Sequence, residues 1–323
     1  MSERETSVLL TGGAGFIGAA TADALLADGH RVVILDDLSS GHTDTIPNEA
    51  SFKRGGYGET GKVEELLRDG RIDVIVHCGA KSIVAEGDEH PNRYFANNVE
   101  GSLNLLNAAC NVGVKRIVFA SSAAVYGAPT LSTISEATPL VPVNTYGATK
   151  VTFELALRSF ADAYKMQALS LRYFNVAGST ERVRERHTPE THLLPRLIRA
   201  VESGEPFSIY GNNYATPDGS ALRDYVHVAD VAAANLAAVN YLLRDDAPVG
   251  HTAVNIGSGV GTSVKQAVSA VERATKRTVN VEVQPRRAGD PPRLIADITR
   301  AVALLNWRPR QSETTRIIRS LID

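Results

Sequence analysis

The chain has 323 residues, 43% hydrophobic and 22% charged, which suffices for one large core or two modest ones and excludes a disordered or fibrous protein. Its formal charge of −2 offers no basic surplus for nucleic acid or an anionic membrane, so any anionic ligand must be held by local groups. The N-terminus is polar, no apolar run reaches membrane-spanning length, and the only cysteines, Cys78 and Cys110, lack metal-site spacing; a cytoplasmic, reduced, metal-free protein is expected.

Strand-like apolar runs recur between helical stretches at Ser7 to Thr11, Arg31 to Asp36, Asp73 to His77, Arg116 to Ser121 and Ala168 to Tyr173. They are almost continuously apolar, as in Val32, Val33, Ile34 and Leu35, which is expected where both faces of a sheet are packed. The pattern predicts an α/β fold with a doubly wound, Rossmann-type parallel sheet. After about Asn175 the rhythm breaks into a basic, turn-rich stretch (Gly178 to Thr191), a helix from about Leu193 and a loop from Gly211 to Ser220. Residues 1–175 are thus expected to form the dinucleotide-binding domain and 176–323 a second, smaller substrate-binding lobe. Segments within about 205–260, including the strand candidates Phe207 to Tyr210 and Ala253 to Gly257, are expected to return in part to the main sheet.

The first strand runs into Thr11-Gly12-Gly13-Ala14-Gly15-Phe16-Ile17-Gly18, which opens a helix. Gly12, Gly15 and Gly18 allow a tight turn, a close approach to a pyrophosphate and helix-on-strand packing, with Phe16 and Ile17 at the helix start that attracts the anion. The plain alternative is a structural turn. Asp36, ending the second strand, is placed to accept bonds from the adenosine ribose hydroxyls, which favours NAD over NADP. Asp37 is expected only to turn the following loop.

Ser121-Ser122-Ala123-Ala124-Val125-Tyr126-Gly127 closes another strand on the carboxyl edge of the sheet, where Ser122 can bond a substrate hydroxyl. Tyr146 and Lys150 stand four apart at the head of an amphipathic run, so they share a helix face. A neighbouring ammonium favours the phenolate and makes Tyr146 a general base. Taken alone, this spacing also fits an ordinary helix surface.

The order of the glycine motif, the serine run, Tyr-x-x-x-Lys and Arg172-Tyr173-Phe174-Asn175 resembles extended short-chain dehydrogenases, and above all UDP-galactose 4-epimerases. The similarity continues through Tyr210-Gly211, Arg223-Asp224-Tyr225-Val226-His227, Asn255-Ile256-Gly257 and Pro285-Arg286-Arg287-Ala288-Gly289-Asp290-Pro291. It implies an NAD-dependent isomerase that inverts C4 of a UDP-hexose through a 4-keto sugar. In it Tyr146 is the base, Lys150 holds the nicotinamide ribose and Ser122 bonds the 4-hydroxyl. By the same resemblance Asn98 contacts the cofactor and Asn175 the substrate diphosphate; Arg223 and Arg287 clamp phosphate, Asp290 takes a ribose hydroxyl, Tyr210 flanks the uracil, and His192 and Leu193 meet the uridine. Arg223 has a plainer alternative, pairing with Asp224 or Asp230. A homodimer is implied, built from helices near Asn98 to Asn111 and Ala148 to Tyr164.

Related 4,6-dehydratases and decarboxylases carry carboxyl groups just after the serine-run hydroxyl, where this chain has Ala123 and Ala124, so epimerisation is preferred over both. A non-catalytic cofactor sensor is opposed by the intact Ser122, Tyr146 and Lys150, and a net oxidoreductase remains as a further rival. The chain also departs from the family. Arg54-Gly55-Gly56-Tyr57 lacks the aspartate that bonds adenine, leaving Tyr57 or a backbone contact to compensate, and a ribose-binding lysine aligns with Ser82 beside Lys81. Arg182, Arg184 and Arg186 either face water or meet a hexuronate carboxylate, which brings UDP-glucuronate into consideration through Arg184. Leu294 matches a position near the sugar's C2 substituent.

Overall fold

The computed structural model describes residues 5–186, 188–287 and 290–322. Its centre is a seven-stranded, wholly parallel sheet. Six of its strands come from residues 7–173: β1 (Ser7–Thr11), β2 (Arg31–Asp36), β3 (Ser51–Arg54), β4 (Val74–His77), β5 (Arg116–Ser122) and β6 (Gln167–Tyr173). Alternate residues of each apolar run serve opposite faces. Val32 and Ile34 join Leu10, Val76 and Leu171 under the helices Phe16–Ala27 (α1) and Val228–Leu242. Val33 and Leu35 join Leu9, Ile75 and Phe119 under Thr60–Asp69 (α2), Ser102–Val112 and Thr145–Tyr164. The doubly wound reading therefore holds, and it is this two-sided packing that made the strands read as unbroken apolar runs.

Beyond β6 the chain forms β7 (Asn175–Ala177), β8 (Phe207–Tyr210), β9 (Leu222–His227), β10 (Gly250–Ile256), β11 (Gly261–Ser263), β12 (Val281–Gln284) and β13 (Arg293–Leu294). Strand β10 returns to the main sheet beside β6, so the order is β10-β6-β5-β4-β1-β2-β3. Strand β8 does not return, contrary to the sequence expectation; it pairs with β12 in a sheet of its own. Once β10 covers the free edge of β6, β8 finds its apolar partners elsewhere, in Leu197, Ile198, Val268, Val271 and Ile317. The remaining short strands form a small sheet around β9, where β13 sets Leu294 opposite Arg223. Among the described residues no helix is long and apolar enough to cross a membrane.

Candidate active site

The glycine loop lies at the carboxyl ends of β1 and β4. Gly12 has φ +68°, and a Cβ there would sit 2.6 Å from the Gly79 amide nitrogen; a Cβ on Gly18 would sit 2.1 Å from the Gly12 carbonyl oxygen. Only glycine fits at either position. Helix α1 starts at Phe16 and Ile17 with Gly15 as its cap, and no acidic side chain enters its first turn to compete for an anion. Asp36 is buried and accepts the amides of Ala14 at 3.0 Å and Leu38 at 2.8 Å, tying the glycine loop to the end of β2. Burial raises its carboxyl pKa, opposed by those two amides. Asp37 accepts the Ser39 amide at 2.8 Å, the loop-turning role expected of it. A helix terminus open to a pyrophosphate, with an acid one strand over, fits a dinucleotide.

Beneath this loop lies a polar core that the sequence did not reveal. His77 Nδ1 is 2.6 Å from Thr11 Oγ1 and its Nε2 is 2.8 Å from Ser102 Oγ; burial drives its pKa down to about 3, so the ring is neutral. Asn98 is equally enclosed. Its carbonyl accepts the Lys81 amide at 2.8 Å and the Asn97 side chain at 2.9 Å, while its amide donates to the Lys81 carbonyl at 2.9 Å and to Thr149 at 3.1 Å. All its hydrogen-bonding capacity is thus spent inside the chain. Asn98 therefore fixes the Lys81 backbone and the helix that bears Tyr146. Tyr57 gives its hydroxyl to the Asn97 carbonyl at 2.9 Å and sets its ring edge-on to His77 at 4.7 Å, against Gly79 and Gly101.

The helix Thr145–Tyr164 is capped by Asn144, which accepts the Gly147 amide at 2.8 Å, so Tyr146 falls in its first turn. Tyr146 and Lys150 share the face turned to the end of β5. The Lys150 ammonium is buried, 4.6 Å from the Phe119 ring centroid and 5.6 Å from that of Tyr146, and donates to the Ala120 carbonyl at 2.7 Å. Burial lowers its pKa to about 8. Burial likewise pushes the Tyr146 phenol up to about 12, against the opposing pull of the Ser122 hydroxyl. Ser122 Oγ also accepts the Ala124 amide at 3.1 Å, which opens the turn Ala123–Tyr126. The structure thus brings Ser122, Tyr146 and Lys150 together.

One turn beyond Lys150, Glu154 is buried and held by Arg172 at 2.6 and 3.0 Å and by Ser121 at 2.5 Å. Arg172 also donates to the Tyr126 hydroxyl at 2.9 Å, and Tyr126 in turn to Asn255 at 2.6 Å. This network clamps β5, β6 and β10 directly under the serine run. It also commits the Glu154 carboxylate, so it does not replace the acid missing at Ala123 and Ala124.

In the second lobe Arg223 pairs with Asp290, neither with Asp224 nor with Asp230, and the Tyr214 hydroxyl approaches Asp290 at 3.5 Å. Asp224 is fully buried and serves the fold, accepting the amides of Ser258 at 2.6 Å, Gly259 at 2.9 Å and Ala296 at 3.1 Å. The Arg287 guanidinium covers the Tyr210 ring at 3.8 Å. Asn175 donates to the Asp224 carbonyl at 3.1 Å. His192 bonds Glu190 at 2.9 Å, and Leu193 begins the helix Leu193–Ser203. Ala288 and Gly289, part of the Pro285 to Pro291 motif, lie outside the described residues. Of the arginine cluster, Arg182 pairs with Asp23 and Arg186 with Asp44 at 2.9 and 3.1 Å, both across to the dinucleotide side, while Arg184 between them is exposed.

The profile of the NAD dependent epimerase/dehydratase family matches residues 8–257. The chain belongs to that family. It is similar to the UDP-glucose 4-epimerase of Corynebacterium glutamicum, 41% identical with 96% of this chain and 93% of the relative covered. Its fold is similar to that of the Brucella ovis UDP-glucose 4-epimerase in complex with NAD, with a TM-score of 0.93, 38% identity and coverage of 98% and 97%. The Bifidobacterium longum enzyme in complex with NAD+ and UDP is also similar, with a TM-score of 0.90, 31% identity and coverage of 98% and 97%. NAD is the cofactor of this family, and the glycine loop and Asp36 have the form to hold it.

Proposed function

We propose that the protein interconverts UDP-glucose and UDP-galactose by inverting C4 of the hexose through a 4-keto intermediate. The observation that carries this reading is the meeting of Ser122, Tyr146 and Lys150 at the end of β5, with alanines where elimination or decarboxylation needs a carboxyl group. Ser122 bonds the 4-oxygen and Tyr146 takes its proton. Bound NAD supplies a hydride acceptor for C4 and, on return, a donor. The freed keto sugar turns within the site to offer the opposite face of C4 for hydride return, and Tyr146 gives the proton back to the 4-oxygen. Lys150 favours the phenolate and has its own ammonium next to the Ala120 carbonyl, ready for a ribose hydroxyl.

In this reading Gly12, Gly15, Phe16, Ile17, Gly18 and Asp36 hold the cofactor. Asn98 acts on it by fixing Lys81. Tyr210 and Arg287, already stacked, enclose the uracil and a phosphate; Arg223 and Asp290 divide between diphosphate and ribose, and Asn175, His192 and Leu193 complete the nucleotide contacts. The hexose is preferred over the hexuronate because Arg182 and Arg186 are drawn to acids of the dinucleotide side, which leaves the uronate reading on Arg184 alone. A homodimer is inferred from apolar exposure on the second of the expected helices, where Leu155 is 57% and Tyr164 49% accessible. Free Cys78 and Cys110 suit a reducing cytoplasm.

The test is incubation with UDP-glucose, UDP-N-acetylglucosamine and UDP-glucuronate in separate samples, followed by NMR. The expected result is the C4 epimer of UDP-glucose at equilibrium, with no net NADH. Accumulation of a deoxy or decarboxylated sugar, or stoichiometric NADH, defeats the proposal.

A further inference from the structure

Strand order sets the direction in which a bound dinucleotide runs: pyrophosphate at α1 beyond β1, ribose at Asp36 ending β2, and the base onward over the outermost strand, β3. The end of β3 adjoins Asp36, since the Gly55 amide donates to the Asp36 carbonyl at 3.0 Å. There the chain has two glycines, Gly55 and Gly56, and no side chain of its own to recognise a base.

A carboxylate fills the gap from three residues on. Glu59 Oε1 accepts the Gly56 amide at 3.0 Å, and Lys62 binds the other oxygen. A Cβ built on Gly55 or Gly56 would lie 3.5 or 3.6 Å from Oε1, so the Glu59 carboxylate stands in contact with the place where either missing side chain would begin. It is 44% accessible, which leaves lone pairs open to a ligand. Beside it a cavity of about 380 Å³ opens between the end of β3 and α2, with Leu35 and Val63 as apolar walls. The groove also carries the charged Lys53, Arg54 and Lys62, and the Glu59 carboxylate at the end next to Gly55 and Gly56 suits a flat heterocycle that carries an amino group.

We propose that the Glu59 carboxylate accepts a hydrogen bond from the exocyclic amino group of the NAD adenine. Adenine recognition is thereby moved from the glycine position after β3 to the N-cap of α2, where the Gly56 amide and Lys62 hold the acceptor. This inference rests on NAD being the cofactor.

The experiment compares NAD with its hypoxanthine analogue, which carries a carbonyl in place of that amino group, by titrating each into cofactor-depleted wild type, Glu59→Ala and Glu59→Gln. Wild type is expected to prefer NAD by about tenfold or more, the range for a charge-assisted bond. Glu59→Ala is expected to bind NAD about tenfold more weakly while its analogue affinity moves by less than about threefold. Glu59→Gln preserves the Gly56 contact but offers the analogue a donor, so its preference for NAD should shrink below about threefold. An unchanged preference in both variants, or equal weakening of the two dinucleotides, overturns the proposal. A wild type that binds neither dinucleotide overturns the cofactor reading with it.

Discussion

The Lys150 ammonium donates to the Ala120 carbonyl at 2.7 Å and lies only 5.6 Å from the Tyr146 ring centroid, so a single buried cation sits between the strand end and the base. Its charge lowers the cost of forming a phenolate that burial alone opposes. Tyr146→Phe is expected to reduce kcat by about 10²-fold or more with NAD still bound. Lys150→Met should shift the rising limb of the kcat–pH profile to higher pH, because the phenol loses its cationic neighbour. Steady-state rates from pH 6 to 10 check both.

The same lysine should leave a mark on stability. Its folded pKa of about 8 is below the ordinary 10.5, so between those values the folded chain holds fewer protons than the unfolded one. Stability of the cofactor-free protein should then rise with pH across that window, and Lys150→Met, with no proton to lose, should lack one proton's share of the slope, about 1.4 kcal/mol per pH unit. Denaturant midpoints of the two proteins at pH 7.5, 9 and 10.5 measure the difference.

Asp36→Ala is expected to empty the cofactor site while sparing the nucleotide-sugar lobe. Its carboxylate serves both the ribose and the amides of Ala14 and Leu38, so its loss also loosens the glycine loop. NAD content of the purified variant should fall well below that of wild type, with UDP affinity changed by less than about twofold. Retained NAD would move the ribose contact to the backbone.

Much of this site was legible because its signals are local. Gly12 to Gly18, Asp36 and the Tyr146–Lys150 spacing each lie within one strand–turn–helix unit, and the strands around them announce themselves through two-sided apolar runs. What was hidden depends on pairings across the chain. His77 meets Thr11 and Ser102 across 66 and 25 residues, Arg223 meets Asp290 across 67, and Glu154 on its helix meets Arg172 on β6 across 18. Nor does any pattern in Phe207–Tyr210 say that its edge belongs to β12, since an apolar strand of four residues suits either sheet.

The Glu154–Arg172 pair yields a prediction about stability. Both groups are buried, and Glu154→Ala leaves the guanidinium without its counter-ion, which typically costs about 3 to 5 kcal/mol. Arg172→Met combined with Glu154→Leu should recover much of that loss by removing both charges. Chemical denaturation compares the single and double variants; an undiminished single variant would mean that solvent reaches the pair.

Substrate size is expected to depend on Leu294. It lies on β13 opposite Arg223 in β9, and it packs against the cluster of Val125, Tyr126 and Phe174, the segment that follows Ser122 and the one that follows β6. A side chain there stands between the proposed diphosphate clamp and the proposed 4-hydroxyl contact, where the rest of the sugar must pass. Leucine is shorter than tyrosine and carries no hydroxyl to place, so room for an N-acetyl group at C2 is expected, and UDP-N-acetylglucosamine should be epimerised at a rate within about a hundredfold of UDP-glucose, a gap of under about 3 kcal/mol. Leu294→Tyr adds a ring to a packed cluster, where overfilling costs about 1 to 3 kcal/mol. That cost should fall on the bulkier sugar, lowering kcat/KM for the N-acetylated substrate by about tenfold or more and leaving UDP-glucose within about threefold. Parallel losses on both sugars would place Leu294 in general packing and leave the C2 pocket to another residue.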